Sequence, residues 1–176
     1  MHVSVASDSD LDAVAALVNS AFRGDSSRAG WTTEADLVGG QRTDAESLRE
    51  DLAAHPGAVL LTLRDEQGGP LLGSVWLEPK TAELWYLGML TVRPDLQSRG
   101  LGRSMLEEAE RYAATHGARR MRMTVITLRD ALLEWYERRG YRRTGEMFPF
   151  PYGNDRFGLP LRDDLQFEAL EKQLDR

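Results

Sequence analysis

The sequence predicts a single α/β domain that spans residues 1–176. Three observations support this. The chain has 176 residues, 41% of them hydrophobic and 28% charged, which is ordinary for one soluble domain. Short apolar runs typical of strands alternate with stretches whose apolar residues recur at helical spacing. No repeat, linker or low-complexity tract divides the chain.

The first half of the chain predicts a strand, two helices and a hairpin. Residues 3–5 alternate like a short strand, and Ser7 to Asp10 can cap a helix. Apolar residues from Leu11 to Phe22 then follow at helical spacing. A second helix is predicted over 44–54, because Pro56 and Gly57 would stop it. Strands are predicted at 58–64 and 71–77 on either side of a polar, glycine-containing connection.

The second half predicts three further strands and two further helices. A strand at 83–92 is followed by a long amphipathic helix that starts near Gly100 and ends at Gly117. A strand at 120–126, a short helix at 130–139 and a strand at 141–148 come next. Residues 148–162 indicate a long ordered loop. The tail, 165–174, fits either a strand or a helix.

Composition excludes several classes of chemistry. The chain has no cysteine, so it has no disulfide, thiolate nucleophile, iron–sulfur cluster or cysteine-bound zinc. Its three histidines lie too far apart for a histidine-rich metal motif, and we expect no metal. No apolar run reaches about 18 residues, and the N-terminus lacks the features of a signal peptide. We therefore expect a cytoplasmic protein without a membrane partner.

Charge is unevenly distributed around a net value of −6. Residues 1–90 carry 14 acidic and 6 basic side chains, whereas residues 91–143 carry 7 acidic and 12 basic ones. The acidic total argues against nucleic acid as a main partner. The basic central segment nevertheless requires an explanation.

A motif in that basic segment indicates an anion-binding site. An apolar strand enters a turn with Gly100 and Gly102, and the turn enters a helix flanked by Arg99 and Arg103. Free N–H groups at a helix start, together with the helix dipole, favour a phosphate there. The spacing does not match a P-loop, and Met105 stands where a dinucleotide fingerprint needs its third glycine. The alternative is a tight turn whose glycines serve packing alone.

The residues Gln97-Ser98-Arg99-Gly100-Leu101-Gly102 resemble the Q/R-x-x-G-x-G/A signature of the GNAT superfamily of N-acetyltransferases. Residues 133–141 resemble a second segment of that family, and the order of elements is similar along nearly the whole chain. The resemblance implies a mixed central sheet of six to seven strands flanked by about four helices. It also implies that residues 165–172 form the final strand.

The resemblance implies acetyl-CoA as cosubstrate and assigns residues to it. Backbone groups of Leu90, Thr91 and Val92 would hold the pantetheine arm. The pyrophosphate would be bound by Gln97, Ser98, Arg99, Gly100, Leu101, Gly102 and Arg103. Tyr136 would be the general acid that protonates the departing thiolate, and a tyrosine pKa of about 10 keeps it protonated at neutral pH. The alternative for Tyr136 is a core aromatic residue.

The acceptor side departs from the family pattern. Many members carry a Glu where this chain has Tyr86, and Glu83 would point to the opposite face of a regular strand. We therefore expect Tyr86 to relay the amine proton through water. A second departure is Arg129, where many relatives have an Asn.

Two segments, 24–40 and 148–162, correspond to the parts of the family that recognise the acceptor. Carboxylates there would suit a cationic amine, whereas Arg28 and Arg156 would suit a substrate carboxylate. The sequence leaves both readings open. The candidates are Asp25, Arg28, Trp31, Glu34, Asp36, Phe148, Phe150, Tyr152, Asp155, Arg156 and Phe157.

These inferences predict an N-acetyltransferase that moves an acetyl group directly from acetyl-CoA to a primary amine of a small molecule or peptide. Direct transfer follows from the lack of a cysteine for an acyl-enzyme. We expect a cationic cofactor half and acidic substrate surroundings, and a homodimer because dimers are common in the family. The alternatives are a non-catalytic acyl-CoA sensor and a nucleic-acid-binding domain. Interleaved acidic residues disfavour the latter.

Overall fold

The computed structural model of the protein describes residues 1–31 and 33–175. The helices within these ranges are α1 (Leu11–Phe22), α2 (Ala45–Ala54), α3 (Leu101–Thr115) and α4 (Asp130–Glu137). The strands are β1 (His2–Val5), β2 (Val38–Gly39), β3 (Val59–Arg64), β4 (Gly73–Pro79), β5 (Leu84–Val92), β6 (Arg120–Ile126), β7 (Arg142–Pro149), β8 (Leu159–Pro160) and β9 (Gln166–Gln173). None of these helices has both the length and the apolar character that crossing a bilayer requires.

Seven of the strands form one mixed sheet in the order β1-β3-β4-β5-β6-β9-β7. Neighbours pair antiparallel except β5 and β6, which run parallel. Parallel neighbours need a crossover, and α3 lies within it. The predicted α/β class, with a seven-stranded sheet and four helices, is confirmed. The tail is strand β9, as the family resemblance implied.

The helices cover the two faces of the sheet in pairs. On one face α1 and α2 bury Leu11 and Leu48 in a cluster with Leu60 of β3. On the other, α3 and α4 contribute to a cluster in which Met105 meets Leu61 of the same strand. Successive side chains of a strand point to opposite faces. We call these the α1/α2 face and the α3/α4 face.

Strand boundaries follow the predictions within about two residues, and the largest shift is in β4. The sequence predicts a strand over 71–77, whereas β4 begins at Gly73 and runs to Pro79. Glu78 continues the ladder opposite Tyr86. Its buried carboxylate accepts hydrogen bonds from Trp76 Nε1 at 3.1 Å and from Lys80 Nζ at 2.6 Å, so the polar group is satisfied inside the strand.

A small second sheet joins the two segments predicted to recognise the acceptor. Strand β2 pairs with β8, with Val38 opposite Pro160 and Gly39 opposite Leu159. Residues 148–162 are therefore not an unstructured connection, since they also contain a short 3-10 turn at Asp155–Phe157. The pairing brings segment 24–40 and segment 148–162 to one place beside the main sheet.

At the sheet edge, Glu168 of β9 holds an irregular part of β7. The register between the two strands shifts between Arg143 and Met147. Glu168, 3% exposed, accepts hydrogen bonds from Arg143 Nε and Nη2 at 2.9 and 2.7 Å and from the Gly145 N–H at 3.2 Å. The Arg143 bonds hold the pKa of this carboxyl below its usual range.

Replacing Glu168 with Gln should lower the free energy of unfolding at pH 7 by about 1–2 kcal/mol, because a neutral amide binds the guanidinium more weakly. The carboxyl of Glu168 has a lower pKa in the folded than in the unfolded protein, so its ionised form stabilises the fold at any pH above the unfolded-state pKa of about 4.3. This contribution is lost as the pH falls below that value and the folded protein also takes up the proton. Urea titrations at several pH values should therefore show the difference between wild type and Glu168→Gln shrinking from about pH 5 to about pH 3. A difference that stays constant would contradict this, and the exposed Glu66→Gln is the control.

Candidate active site

The central parallel pair of strands separates halfway along its length. Strands β5 and β6 pair only from Leu84–Arg120 to Tyr86–Arg122. Beyond Tyr86, the edges of residues 87–92 and 123–126 that face each other have no strand partner in the described chain. An extended ligand can therefore hydrogen-bond to this exposed backbone as an added strand would.

A bulge in β5 is the local cause of the separation. Between two ladder positions, Trp76–Gly88 and Ser74–Thr91, β5 has one residue more than β4. Met89 lies in this interval with φ +48°, an unusual value for a residue other than glycine. Thr91 Oγ1 donates to the Met89 carbonyl at 2.8 Å and stabilises the turn of the chain. Such a bulge bends its strand, here away from β6.

The separation opens into a cleft of about 600 Å³ that passes through the sheet. Tyr86 lines it and packs with the cluster on the α1/α2 face. Tyr136 also lines it and belongs to the cluster on the α3/α4 face. The two tyrosines predicted to be catalytic therefore meet the same cleft from opposite sides of the sheet.

On the α3/α4 face, the cleft reaches the start of α3. Gly100 caps this helix with φ +80°, and Ser98 before it has φ +68°. The first amide that bonds within the helix is that of Ser104, which donates to the Gly100 carbonyl at 3.0 Å. The amides of residues 101–103 thus have no helical acceptor, and with the helix dipole they form an anion site.

Most of the residues predicted to bind the cosubstrate line the cleft. They are Leu90, Thr91, Val92, Gln97, Ser98, Gly100, Gly102 and Arg103. The side chains of Arg99 and Leu101 do not: Arg99 is exposed, and Leu101 packs against the main core.

Arginines surround this end of the cleft. The guanidinium carbon of Arg139 lies 3.8 Å from the centre of the Trp135 ring, and its Nη1 donates to the Trp135 carbonyl at 2.9 Å. Burial lowers the pKa of Arg139, and the nearby charges of Arg138 and Arg103 lower it further. The local excess of positive charge suits a phosphate group.

The Gln97 side chain connects the turn before α3, which is the predicted phosphate-binding turn, to segment 24–40. Its Oε1 accepts from the Trp31 N–H at 3.1 Å, and its Nε2 donates to the Val92 carbonyl at 3.3 Å. A side chain at Gly30 would overlap this amide. Both ends of the Gln97 side-chain amide are therefore hydrogen-bonded within the protein, so Gln97 would bind a ligand through its backbone.

Tyr136 presents a buried, protonated hydroxyl. The residue is 6% exposed and packs edge-on against Trp135 and Tyr141 at 5.0 and 5.7 Å between ring centres. Its hydroxyl has no hydrogen-bond partner among residues 1–31 and 33–175. Burial raises the pKa of Tyr136 well above its usual value, against a smaller opposite effect of the Arg129 charge. This hydroxyl can donate its proton to a group in the cleft.

Tyr86 lies where the two strands begin to separate. Its hydroxyl is 3.2 Å from Thr124 Oγ1 of β6, across the opening. Glu83 does not reach the cleft and instead forms an ion pair with Arg119 at 3.2 Å. Tyr86 is thus placed where an acceptor amine would enter from the α1/α2 face.

Only part of the predicted acceptor set lies in the cleft, namely Trp31, Glu34, Phe150 and Phe157. Arg28 instead pairs with Asp36 at 2.7 Å, and Arg156 with Asp51 at 2.8 Å, and both arginines are more than one-third exposed. Neither arginine reaches the cleft, because each is held by a nearby carboxylate. The remaining candidates that lie outside the lining are Asp25, Asp36, Phe148, Tyr152 and Asp155.

Three arginines line the part of the cleft near the predicted acceptor segments: Arg23, Arg42 and Arg129. Glu34 pairs with two of them, through Oε1 to Arg23 Nη1 at 2.9 Å and through Oε2 to Arg129 Nη1 at 3.8 Å. The prediction that acidic residues surround the acceptor is therefore wrong for this cleft. From the sequence, Arg129 stood out only because many members of the family have an Asn at this position. Arg23 and Arg42 carry no pattern that separates them from surface arginines.

The chain matches the family model described as acetyltransferase (GNAT) family over residues 18–141. No curated protein matches it by sequence. Among solved structures, a protein provisionally named phosphinothricin N-acetyltransferase is similar at 19% identity and TM-score 0.72, with 99% of both chains covered. A Salmonella typhimurium protein solved with its cofactor acetyl-CoA has 18% identity and TM-score 0.69, covering 100% of this chain and 95% of that one. An aminoglycoside 6'-N-acetyltransferase in complex with coenzyme A has 17% identity and TM-score 0.69, covering 100% and 98%.

At these identities the structural similarity shows a shared fold. The family match is the stronger finding for function. It extends from within α1 to the residue before β7, and so includes the phosphate-binding turn, the bulged strand and Tyr136. The chain belongs to the GNAT family of acetyltransferases.

Proposed function

We propose that the protein transfers the acetyl group of acetyl-CoA directly to a primary amine of a small molecule or peptide, with residues 1–176 acting as one catalytic domain. The observation that carries this is the cleft through the sheet, which has an anion site on one face, the Tyr136 hydroxyl inside, and an opening on the other face. Solved neighbours with acetyl-CoA or coenzyme A support the choice of donor. A cytoplasmic location and a homodimer stay predictions.

The residues on the α3/α4 face fit the donor. A Cβ at Gly100 would meet nothing within 4 Å, so there is open space in front of the helix start. The free amides of residues 101–103 and the Arg103 guanidinium would bind the pyrophosphate. The unpaired backbone of β5 would bind the amides of the pantetheine arm, which directs the thioester toward the point where β5 and β6 separate.

Tyr136 would act on the leaving group. As the amine nitrogen bonds to the thioester carbonyl carbon, the carbon–sulfur bond breaks and the sulfur takes up negative charge. Tyr136 donates a hydrogen bond to that sulfur and gives it the proton. Burial disfavours both charged forms, the thiolate and the phenolate that Tyr136 becomes when it gives up its proton. Tyr136 therefore takes a proton back from water in the cleft as the thiol leaves.

The acceptor amine must lose a proton before or during the reaction. A lysine-like amine with a pKa of about 10.4 needs roughly 4–5 kcal/mol to become neutral at pH 7. In our proposal a water molecule held by Tyr86 accepts this proton. The rate should therefore rise with pH until the amine is neutral.

The direct test is release of coenzyme A thiol from acetyl-CoA over a panel of amines: amino acids, polyamines, aminoglycosides and peptide N-termini. We expect release with at least one class. Tight binding of acetyl-CoA without release for any amine would favour the non-catalytic sensor. Failure to bind coenzyme A would contradict both functions.

Replacing Gly100 with Ala should weaken acetyl-CoA binding by about tenfold or more, because a left-handed φ costs an L-residue about 1–2 kcal/mol and distorts the turn that aims the amides. The matched control is Gly68→Ala, which places the same strain at φ +78° in the β3–β4 connection with nothing within 4 Å. Calorimetric titration with acetyl-CoA should separate the two variants. Equal affinities would mean that the turn does not bind the donor.

Replacing Tyr136 with Phe should lower kcat by roughly 100-fold or more while leaving the Kd for acetyl-CoA within about twofold, since only the proton donor is lost. Tyr112→Phe, on α3 beside His116, is the control for loss of a tyrosine hydroxyl outside the cleft. The raised pKa of Tyr136 also predicts that the wild-type rate does not fall up to about pH 9.5, since the acid stays protonated. Unchanged turnover in Tyr136→Phe would refute the assignment.

A further inference from the structure

We propose that the acceptor carries a carboxylate close to its amine, as an amino acid does, and that Arg42 binds this carboxylate on the α1/α2 face of the cleft. The inference rests on the proposed acetyl transfer and specifies the class of acceptor.

Arg42 is a cation on which the Glu34 and Asp51 carboxylates act only from beyond ion-pair distance. It is partly buried and lines the cleft, yet its guanidinium makes no hydrogen bond or ion pair with residues 1–31 or 33–175. The Phe157 ring lies beside it, with its centre 5.9 Å from the guanidinium carbon. A guanidinium has five N–H donors, and those of Arg42 have no acceptor in the described protein. An anionic ligand would satisfy them.

The backbone that carries Arg42 is fixed from α1. Asn19 Oδ1 accepts from the Arg42 N–H at 2.7 Å and from the Thr43 N–H at 3.2 Å, and Asn19 Nδ2 donates to the Thr43 carbonyl at 2.8 Å. Three hydrogen bonds from one side chain hold this turn in place. The position of Arg42 is therefore set before any ligand binds, as a specific site requires.

The surroundings of Arg42 contain more positive than negative charge. Arg23, Arg42 and Arg129 line this part of the cleft, and Glu34 is the one carboxylate in the described lining. Both oxygens of Glu34 already face the other two arginines. Asp51, the nearby carboxylate outside the lining, is paired with Arg156 at 2.8 Å. No carboxylate of the described residues lies within ion-pair distance of Arg42, so a ligand carboxylate would supply its ion-pair partner.

The donor phosphates do not supply this anion. Their site is the start of α3, on the opposite face of the sheet, with Arg103, Arg138 and Arg139. Arg42 is joined to α1 through Asn19 and lies close enough to Tyr86, on the α1/α2 face, for the two groups to interact electrostatically. This is the face from which the acceptor enters in our proposal. A cleft of about 600 Å³, shared with the donor arm, leaves room for a small acceptor, so its carboxylate must lie near its amine. A polycationic amine would be repelled by the three arginines.

The test compares matched acceptors that differ only at the carboxylate: an L-amino acid, its primary amide and its decarboxylated amine, for each of the standard side chains. Release of coenzyme A thiol should be about 10- to 100-fold more efficient in kcat/KM for the acid than for its amide or amine. Arg42→Gln should remove this preference by raising KM for the acid, without changing the Kd for acetyl-CoA. Arg42→Lys should restore part of it, because the charge remains but the paired donors are lost.

Two controls make the result decisive. Arg49→Gln removes an exposed arginine that pairs with Asp8 outside the cleft, and it should leave the preference intact. The free energy of unfolding, measured by urea titration, should be no lower for Arg42→Gln than for wild type. The substitution removes no hydrogen bond or ion pair of the side chain. Equal turnover of acid, amide and amine, or a preference for polyamines, would overturn the proposal while acetyl transfer itself stands.

Binding of N-acetyl amino acids to the protein with coenzyme A, measured by calorimetry, separates the two proposals. If no amine is acetylated, the proposed function is wrong. Loss of N-acetyl amino acid binding in Arg42→Gln would then still support a carboxylate site. Binding that is absent in wild type, or unchanged in the variant, would refute that site.

Discussion

The extra residue in β5 is the constraint on which the rest of the site depends. A regular parallel pair would satisfy its own backbone and close the sheet. The bulge at Met89 instead leaves two strand edges facing each other across a gap. In the proposed function, that gap is both the hydrogen-bonding surface for the donor and the passage to the acceptor. The strained φ of Met89 is held because Thr91 and the neighbouring β4 ladder fix both sides of it.

The charged groups that line the cleft differ between the two faces of the sheet. Arginines stand at both ends, but they differ in their partners: those near α3 surround free backbone amides, whereas those near α1 surround one buried carboxylate. Between them lie two tyrosines, and the one on the α3/α4 face is so deeply buried that it stays neutral. Positive charge at the ends and neutral hydroxyls in the middle suit two anionic substrates that react through uncharged groups.

Local patterns were sufficient for the fold and for the position of the turn that we propose binds the donor. Helical spacing predicted α1 and α3, and a short turn motif, contiguous in sequence, placed Gly100 at a helix start. The acceptor half could not be predicted in this way. Arg23, Glu34 and Arg129 meet only because β2 pairs with β8 and α4 follows β6. Arg28 and Arg156 were better candidates by sequence, but nearby carboxylates hold them at the surface.

The hydrogen bond from the Trp31 amide to Gln97 makes donor and acceptor segments mechanically dependent on each other. The same Gln97 side chain reaches the end of β5, so a shift of the phosphate-binding turn must move segment 24–40 with it. Thermodynamic linkage then requires reciprocity: whatever factor the donor contributes to acceptor affinity, the acceptor contributes to donor affinity. Through one amide side chain, the affinities of the two proposed substrates depend on each other, whichever binds first.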